Sequence, residues 1–163
     1  MRGGVAARES QPSEYAVKAA FLFNFIKFVE WPEKSLPEKT STILIGVYGH
    51  NSFYKDLEQT IQNKKIDEHP VSLQEVDTPA DAAKCQLVFI GATEKSHVAE
   101  VIGALKGKSI LTVGETDGFI EAGGMINFVR EGPKIRFQIN NDAATAAGLQ
   151  ISAKLLMLAV AKR

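Results

Sequence analysis

The residues best suited to chemistry are two acidic side chains, Glu115 and Asp117, which follow an apolar segment of the chain. Two neighbouring carboxylates can act as general acid and general base, or they can bind a cation. A solvated turn explains the same pair without any chemistry, and that interpretation is favoured. The choice depends on the elements that position the two side chains.

Two loops that follow predicted strands lack the features that hold a nucleotide. The loop Tyr48-Gly49-His50-Asn51 lacks the three-glycine spacing that lets a pyrophosphate approach the backbone. The segment Gly91 to Ser96 resembles a phosphate-binding loop, but Glu94 stands where a glycine must precede the lysine, and its carboxylate would repel phosphate. The ends of the same strands also lack the carboxylates with which a phosphoreceiver domain holds magnesium. Both classes of site are therefore excluded.

The histidines and the single cysteine provide no recognisable catalytic or metal-binding set. His50, His69 and His97 lie far apart in the sequence, without ligand spacing on one helix, and are predicted to be surface loop residues. Cys85 precedes a predicted strand, so its thiolate is not stabilised by a helix start. A buried core thiol is the favoured interpretation, and pairing with another chain is the alternative. The sequence therefore predicts no catalytic residue, no metal site and no cofactor.

Length, composition and charge limit the fold and the partners. The chain has 163 residues, of which 45% are hydrophobic, enough for one domain with a sizeable core. Nineteen basic and nineteen acidic residues cancel, which disfavours nucleic-acid binding. The apolar stretch from Ala19 to Val29 is too short to span a bilayer, and no signal-peptide cleavage site follows it. Either the protein is cytoplasmic, or the chain begins where a signal peptide was removed.

An apolar helix dominates the start of the predicted domain. Residues 1–13 are predicted to form a disordered tail, and residues 14–163 a single domain. Ser13 is a plausible N-cap of a helix that continues to about Glu30. A helix that is apolar on nearly every side must be covered on nearly every side. A second chain or partner covers it in one interpretation, and later helices of the same chain cover it in the other.

Strands and helices alternate through the middle of the chain. The predicted strands are Thr42–Val47, Pro70–Val76, Gln86–Ile90 and Ser109–Val113. This order predicts a three-layer α/β domain with a mostly parallel sheet. A hairpin formed by residues 125–130 and 134–140 makes the sheet mixed. A helix interrupted by Gly148 follows, and a terminal helical segment carries Ile151, Leu155 and Leu158 on one face.

The second strand of the hairpin alternates apolar and polar side chains, which predicts one buried and one wet face. A partner or an anion is expected to dock on the wet face. The predicted ligand or partner docking residues are Glu115, Asp117, Lys134, Arg136 and Gln138.

Five motifs in order resemble the YfiR/HmsC-like family, and together they cover residues 14 to about 160. The motifs are Lys18 to Phe25 with Lys27 to Pro32, Leu111 to Val113, Gly123 to Phe128, Arg136 to Asn140, and Ala147 to Leu156. Each motif is weak alone, but five in order are specific.

The resemblance implies a non-enzymatic periplasmic protein that represses a membrane-bound diguanylate cyclase by binding its periplasmic sensor region. Repression lowers cyclic-di-GMP and biofilm formation, and an outer-membrane lipoprotein can sequester such repressors. Some relatives carry cysteine pairs linked to redox control, whereas Cys85 can form only an intermolecular disulfide. The alternative hypotheses are a periplasmic small-molecule-binding protein that feeds another membrane sensor, and an α/β hydrolase or nucleotide enzyme, which rests on architecture alone.

The opening motif supplies the predicted partner or homodimer surface. Its residues are Lys18, Phe21, Asn24, Phe25, Phe28 and Trp31. Large aromatic side chains commonly anchor interfaces, although a core position is favoured for these four. A lysine on such a helix either extends to water or pairs with a carboxylate.

Overall fold

A computed structural model describes residues 13–49 and 52–160 of the chain. The predicted disordered tail therefore lies outside the described residues except for Ser13, and so does His50. The strands are β1 (Val29–Glu30), β2 (Ile43–Tyr48), β3 (Lys65–Ile66), β4 (His69–Val76), β5 (Leu87–Ile90), β6 (Leu111–Gly114), β7 (Ile126–Glu131), β8 (Lys134–Ile139) and β9 (Gln150–Ile151). The helices are α1 (Glu14–Lys27), α2 (Phe53–Ile61), α3 (Pro79–Ala82), α4 (Val98–Leu105), α5 (Asn141–Ala146) and α6 (Ala153–Leu158).

The main sheet has seven strands in the order β3-β4-β2-β5-β6-β7-β8. The strands from β4 to β7 are parallel, while β3 and β8 pair antiparallel with their neighbours at the two edges. This arrangement confirms the predicted mixed, mostly parallel sheet with a C-terminal hairpin. The short strand β3 was not predicted, nor was the separate antiparallel pair formed by β1 and β9.

Alternate side chains of the central strands enter two apolar clusters, one on each face of the sheet. Leu87 and Phe89 of β5 belong to the larger cluster, which includes side chains of α1 and α2. Val88 and Ile90 belong to the smaller cluster, which includes side chains of α3 and α4. A strand buried on both faces reads as a continuous apolar run, and β5 has that pattern. The helices therefore form an outer layer on each side of the sheet, as predicted.

The apolar helix α1 is covered in part by its own chain. Phe25 is fully buried, and its ring lies 5.7 Å from the Phe128 ring and 4.9 Å from the Phe137 ring, measured between centroids. The helix ends at Lys27 instead of near Glu30, because the next residues leave the helix and pair with β9. The hairpin β7–β8 thus supplies part of the cover for which a second chain was one candidate.

The C-terminal segment differs from its prediction. Gly148 has a φ of +85°, and helix α5 ends just before it, so the predicted interruption is confirmed. However, Ile151 lies in β9, and Ser152 caps a separate helix by accepting a hydrogen bond from the Leu155 N–H. Leu155 is buried, while Leu158 is 56% exposed. The prediction of one helical face shared by Ile151, Leu155 and Leu158 is therefore wrong.

Candidate functional site

The carboxyl edge of the parallel strands is where ligands of such sheets usually bind, at the point where the strand order reverses. Here the chain leaves β2 towards β4 on one side and leaves β5 towards β6 on the other. The reversal therefore lies between β2 and β5. The residues that follow β5 and β6, among them Ala92 and Glu115, lie beside it.

Glu115 is buried at this edge and has three hydrogen-bond donors. Its Oε1 atom accepts from the Lys18 ammonium at 2.6 Å. Its Oε2 atom accepts from the Tyr15 hydroxyl and from the Ala92 backbone N–H, both at 2.8 Å. The side chain is 5% exposed. The solvated turn favoured for this residue is therefore wrong, because the first turns of α1 pack onto the strand edge; Asp117, in contrast, is exposed.

Lys18 links two carboxylates across the site. Its ammonium lies 2.6 Å from Glu14 and 2.6 Å from Glu115, and its side chain is 6% exposed. The same ammonium lies 5.5 Å from the centroid of the Phe128 ring. Glu14 also pairs with Arg130 at 2.5 Å. The four side chains Arg130, Glu14, Lys18 and Glu115 form a continuous chain of charges, named the edge cluster below.

The electrostatics of this edge shift the pKa values of Glu14 and Tyr15. The Lys18 hydrogen bond, together with the charges of Lys18 and Arg130, holds the pKa of Glu14 below its usual value. Burial raises the pKa of Tyr15, and the neighbouring Glu115 carboxylate raises it further. Tyr15 therefore remains a hydroxyl donor and Glu14 a carboxylate at neutral pH. Such an arrangement is suited to holding α1 in place.

Two cavities adjoin the edge cluster. One has a volume of about 120 Å³ and is lined in part by Tyr15, Phe89 and Glu115. Small-molecule sites are usually larger, at roughly 300 Å³ or more. The other has a volume of about 410 Å³, and both Glu115 and Asp117 line it. The structure therefore brings the two predicted carboxylates to one cavity, but it buries one and exposes the other.

The remaining predicted docking residues lie on the edge strand β8. Lys134 is exposed, Arg136 is half-buried and pairs with Glu131 at 3.5 Å, and Gln138 is half-buried opposite Asn127. They do not line the 410 Å³ cavity. The five predicted docking residues are therefore divided between two places. The alternation on β8 holds fully at its centre, where Phe137 is buried, while its apolar neighbours are half-buried.

The predicted partner surface, on α1 and the residues that follow it, is interior in part. Lys18 and Phe25 are buried, and Asn24 is the exposed member of the set. The other members, Phe21, Phe28 and Trp31, are half-buried. The Trp31 indole N–H donates to the Gln86 carbonyl at 3.1 Å, which ties that ring to the fold. The core positions favoured for the aromatic residues are thus observed in full for Phe25 and in part for the other three.

Cys85 is a core thiol, as the favoured interpretation predicted. It is 2% exposed, and a Cβ atom built at Gly46 would lie 2.7 Å from its sulfur. Burial, with a further contribution from Asp81, raises the pKa of the thiol to about 11. Its thiolate population is therefore small at neutral pH. An intermolecular disulfide stays a prediction that would require this part of the core to open.

Two residues of the edge cluster, Glu14 and Arg130, were not among the predicted site residues. The spacing of Glu14 and Lys18, four residues apart on one helix, was a local signal for an ion pair. Glu115 and Arg130 lie about a hundred residues further along the chain, so no local pattern connects them to α1. Among the described residues, no group of three or more histidine, cysteine, aspartate or glutamate side chains is placed to hold a metal ion. None of the described helices is long and apolar enough to cross a membrane.

Comparison with protein families gives one finding. A family model described as YfiR/HmsC-like matches residues 15–160. The match begins in the first turn of α1 and ends beyond α6, so it includes the edge cluster apart from Glu14, the hairpin and the terminal helix.

Proposed function

Since the chain belongs to the YfiR/HmsC-like family, we propose that it is a periplasmic protein that binds and represses a membrane-bound diguanylate cyclase. The family supports a periplasmic regulator of diguanylate cyclase in general terms. The direct binding, the repression and the resulting decrease in cyclic-di-GMP and biofilm formation are the specific content of the proposal. The proposal assigns no catalytic residue.

The filled crevice at the strand reversal is the structural observation that supports a binding role. In sheets of this order, ligands and reacting groups occupy the crevice at the strand reversal. Here Tyr15 and Glu115 occupy that place, and the cavity left between them is about 120 Å³. Their hydrogen bonds are satisfied within the chain. Function is therefore assigned to exposed surfaces.

The hairpin β7–β8 is the surface that we propose for the cyclase partner. Lys134 is exposed there, and Arg136 is partly exposed on the same strand. With Arg130, the hairpin carries three basic residues and one acidic residue, Glu131. An excess of one charge sign increases the rate of association with a partner of opposite charge and selects against partners of like charge. The periplasmic region of the cyclase is accordingly expected to present an acidic segment.

A binding measurement with paired charge reversals tests this proposal. The double variant Lys134→Glu/Arg136→Glu is expected to lose binding to the purified periplasmic region of a candidate cyclase. The matched control, Lys39→Glu/Lys95→Glu, reverses two exposed charges elsewhere and is expected to bind like the original chain. Deletion of the gene should raise cellular cyclic-di-GMP. Absence of binding together with unchanged cyclic-di-GMP would refute the proposed function.

A second candidate function is small-molecule sensing that feeds another membrane sensor. The 410 Å³ cavity favours it, because Asp117 is exposed there beside the buried Lys18 and Glu115. A ligand that binds only the folded state must raise its thermal stability. A thermal-shift screen of charged metabolites should therefore produce a stabilising compound whose effect is lost in Asp117→Asn.

Three further expectations stay predictions. Co-purification tests for an outer-membrane lipoprotein partner, sedimentation tests for homodimer formation, and cell fractionation tests for periplasmic export.

A further inference from the structure

An apolar cavity of about 590 Å³ opens beside α4, away from the edge cluster. It lies between that helix, the segment that precedes β7, and helix α5. Its volume falls within the range of roughly 300–1,000 Å³ in which small-molecule sites occur. The residues of the predicted docking sets do not line it.

The floor of this cavity is apolar, and its walls are formed by small residues. Ile102, Leu105 and Met125 are buried and form the floor. Exposed alanine and glycine residues form walls on three elements, among them Ala99, Gly103, Ala122 and Ala146. Small side chains on several walls leave a space that larger residues would fill.

Gly103 shows that internal packing does not require all of these small residues. It lies inside helix α4, and a Cβ atom added there would meet no atom within 4 Å. Glycine in a helix interior costs about 1 kcal/mol relative to alanine. The chain therefore carries a helix-destabilising residue where the fold has room for a side chain. Its effect on the surface is to keep the cavity open.

Two polar groups lie among the residues that line the cavity. Lys106 is the only charged residue among the described residues that line it, and it is exposed. Thr112 also lines the cavity and is buried, with its hydroxyl oxygen accepting the Met125 N–H at 3.1 Å. A ligand with an apolar body and a negatively charged end would complement this arrangement of one cation at an apolar cavity.

We propose that this cavity binds a small carboxylic acid with an apolar chain. The chain lies on Ile102, Leu105 and Met125, and the carboxylate pairs with the Lys106 ammonium. A free fatty acid has this chemistry, and an anionic membrane phospholipid shares the apolar chain and the negative charge, although its anion is a phosphate and its acyl chains are esters. The proposal goes beyond the regulation of a cyclase and stands on the cavity alone, so failure of cyclase binding would leave it intact.

Calorimetric titration with octanoate and 1-octanol tests the proposal. Octanoate is expected to bind and to raise the melting temperature. Lys106→Gln should weaken octanoate binding by about fivefold, as for an exposed ion pair, and leave octanol binding unchanged. Lys108→Gln, which changes an exposed lysine outside the cavity, is the matched control and should bind both compounds normally.

Filling the cavity is the second part of the test. Gly103→Leu should abolish binding of both compounds without lowering the melting temperature, because leucine favours the helix. Ala146→Leu fills the opposite wall and should have the same effect on binding. Vesicles of anionic phospholipid distinguish the ligand source. If the original chain sediments with these vesicles and the Gly103→Leu variant does not, the ligand is a membrane lipid. Binding of neither octanoate nor vesicles, or binding that both filling variants retain, would overturn the proposal.

Discussion

The carboxyl edge of the sheet and the cavity beside α4 differ in how their side chains use the available space. At the edge, Lys18 and Glu115 are almost fully buried and satisfy one another, together with Tyr15 and a backbone N–H. Beside α4, Gly103 and its small neighbours leave about 590 Å³ open. At the edge, residues with ionisable or hydroxyl groups stabilise the fold. Beside α4, residues without such groups leave room for a ligand.

The largest difference between the two regions should appear when one charge of the edge cluster is removed. Lys18→Met leaves Glu115 buried without its cation, and breaking a buried ion pair typically costs about 3–5 kcal/mol. Urea unfolding monitored by circular dichroism measures this change in the free energy of unfolding. Lys27→Met is the matched control, since Lys27 lies on the same helix but is exposed, and its expected effect is within about 0.5 kcal/mol. Equal small effects of both substitutions would show that the edge cluster is accessible to water.

Glycines of the two regions should respond oppositely to the same added methyl group. A Cβ atom at Gly114, the residue before Glu115 at the carboxyl edge, would lie 2.4 Å from the Phe119 ring, which is fully buried. Overpacking of this kind costs about 1–3 kcal/mol, so Gly114→Ala should lower the free energy of unfolding. Gly103→Ala should instead raise it by about 1 kcal/mol. Thermal and urea unfolding of both variants provide the measurement, and destabilisation by Gly103→Ala would show that this position is packed.

The smallest expected effect concerns the exposed end of the edge cluster. Because the pKa of Glu14 is lower in the folded state than in the unfolded state, its ion pairs stabilise the fold above the unfolded-state pKa. That contribution decreases as the pH falls through the folded-state pKa. Glu14 is partly exposed, so Glu14→Gln should cost less than about 1 kcal/mol at neutral pH and nothing once the carboxyl is protonated.

Urea unfolding from neutral pH to roughly pH 3 follows this difference between the original chain and Glu14→Gln. The exposed residue Glu38 provides the control substitution, Glu38→Gln. If the difference between the Glu14 variant and the original chain persisted unchanged in acid, the ion pairs of Glu14 would not be its source.

Most of the architecture could be predicted from the sequence, because the patterns that indicate its strands and helices are local. The continuous apolar runs that became β2 and β5, and the alternation around Phe137, depend on neighbouring residues alone. The short pairing of β1 with β9 joins residues more than a hundred positions apart, and two-residue strands carry no periodic pattern. The prediction for Leu158 was wrong because a local signal was missed: Ser152 is an N-cap that begins a separate helix after β9.

The site was harder to predict than the fold. Glu115 was recognised as a residue capable of chemistry, but its burial depends on the packing of α1 across the carboxyl edge, a contact between residues about a hundred positions apart. The aromatic residues of the opening motif had two open interpretations, and packing of the hairpin gives a core position to Phe25, while the partner or dimer surface stays a prediction. The cavity beside α4 arises from small residues on three separate elements, and no spacing within one element identifies it.

An amide NMR titration with octanoate tests the contrast between the two regions most directly. Octanoate is expected to change the chemical shifts of Ala99, Gly103 and Ala146 and to leave those of Ala92 and Glu115 unchanged. Changes that center on Ala92 and Glu115, with Gly103 unaffected, would contradict it, because the edge cluster would then be the open site and the cavity beside α4 the closed one.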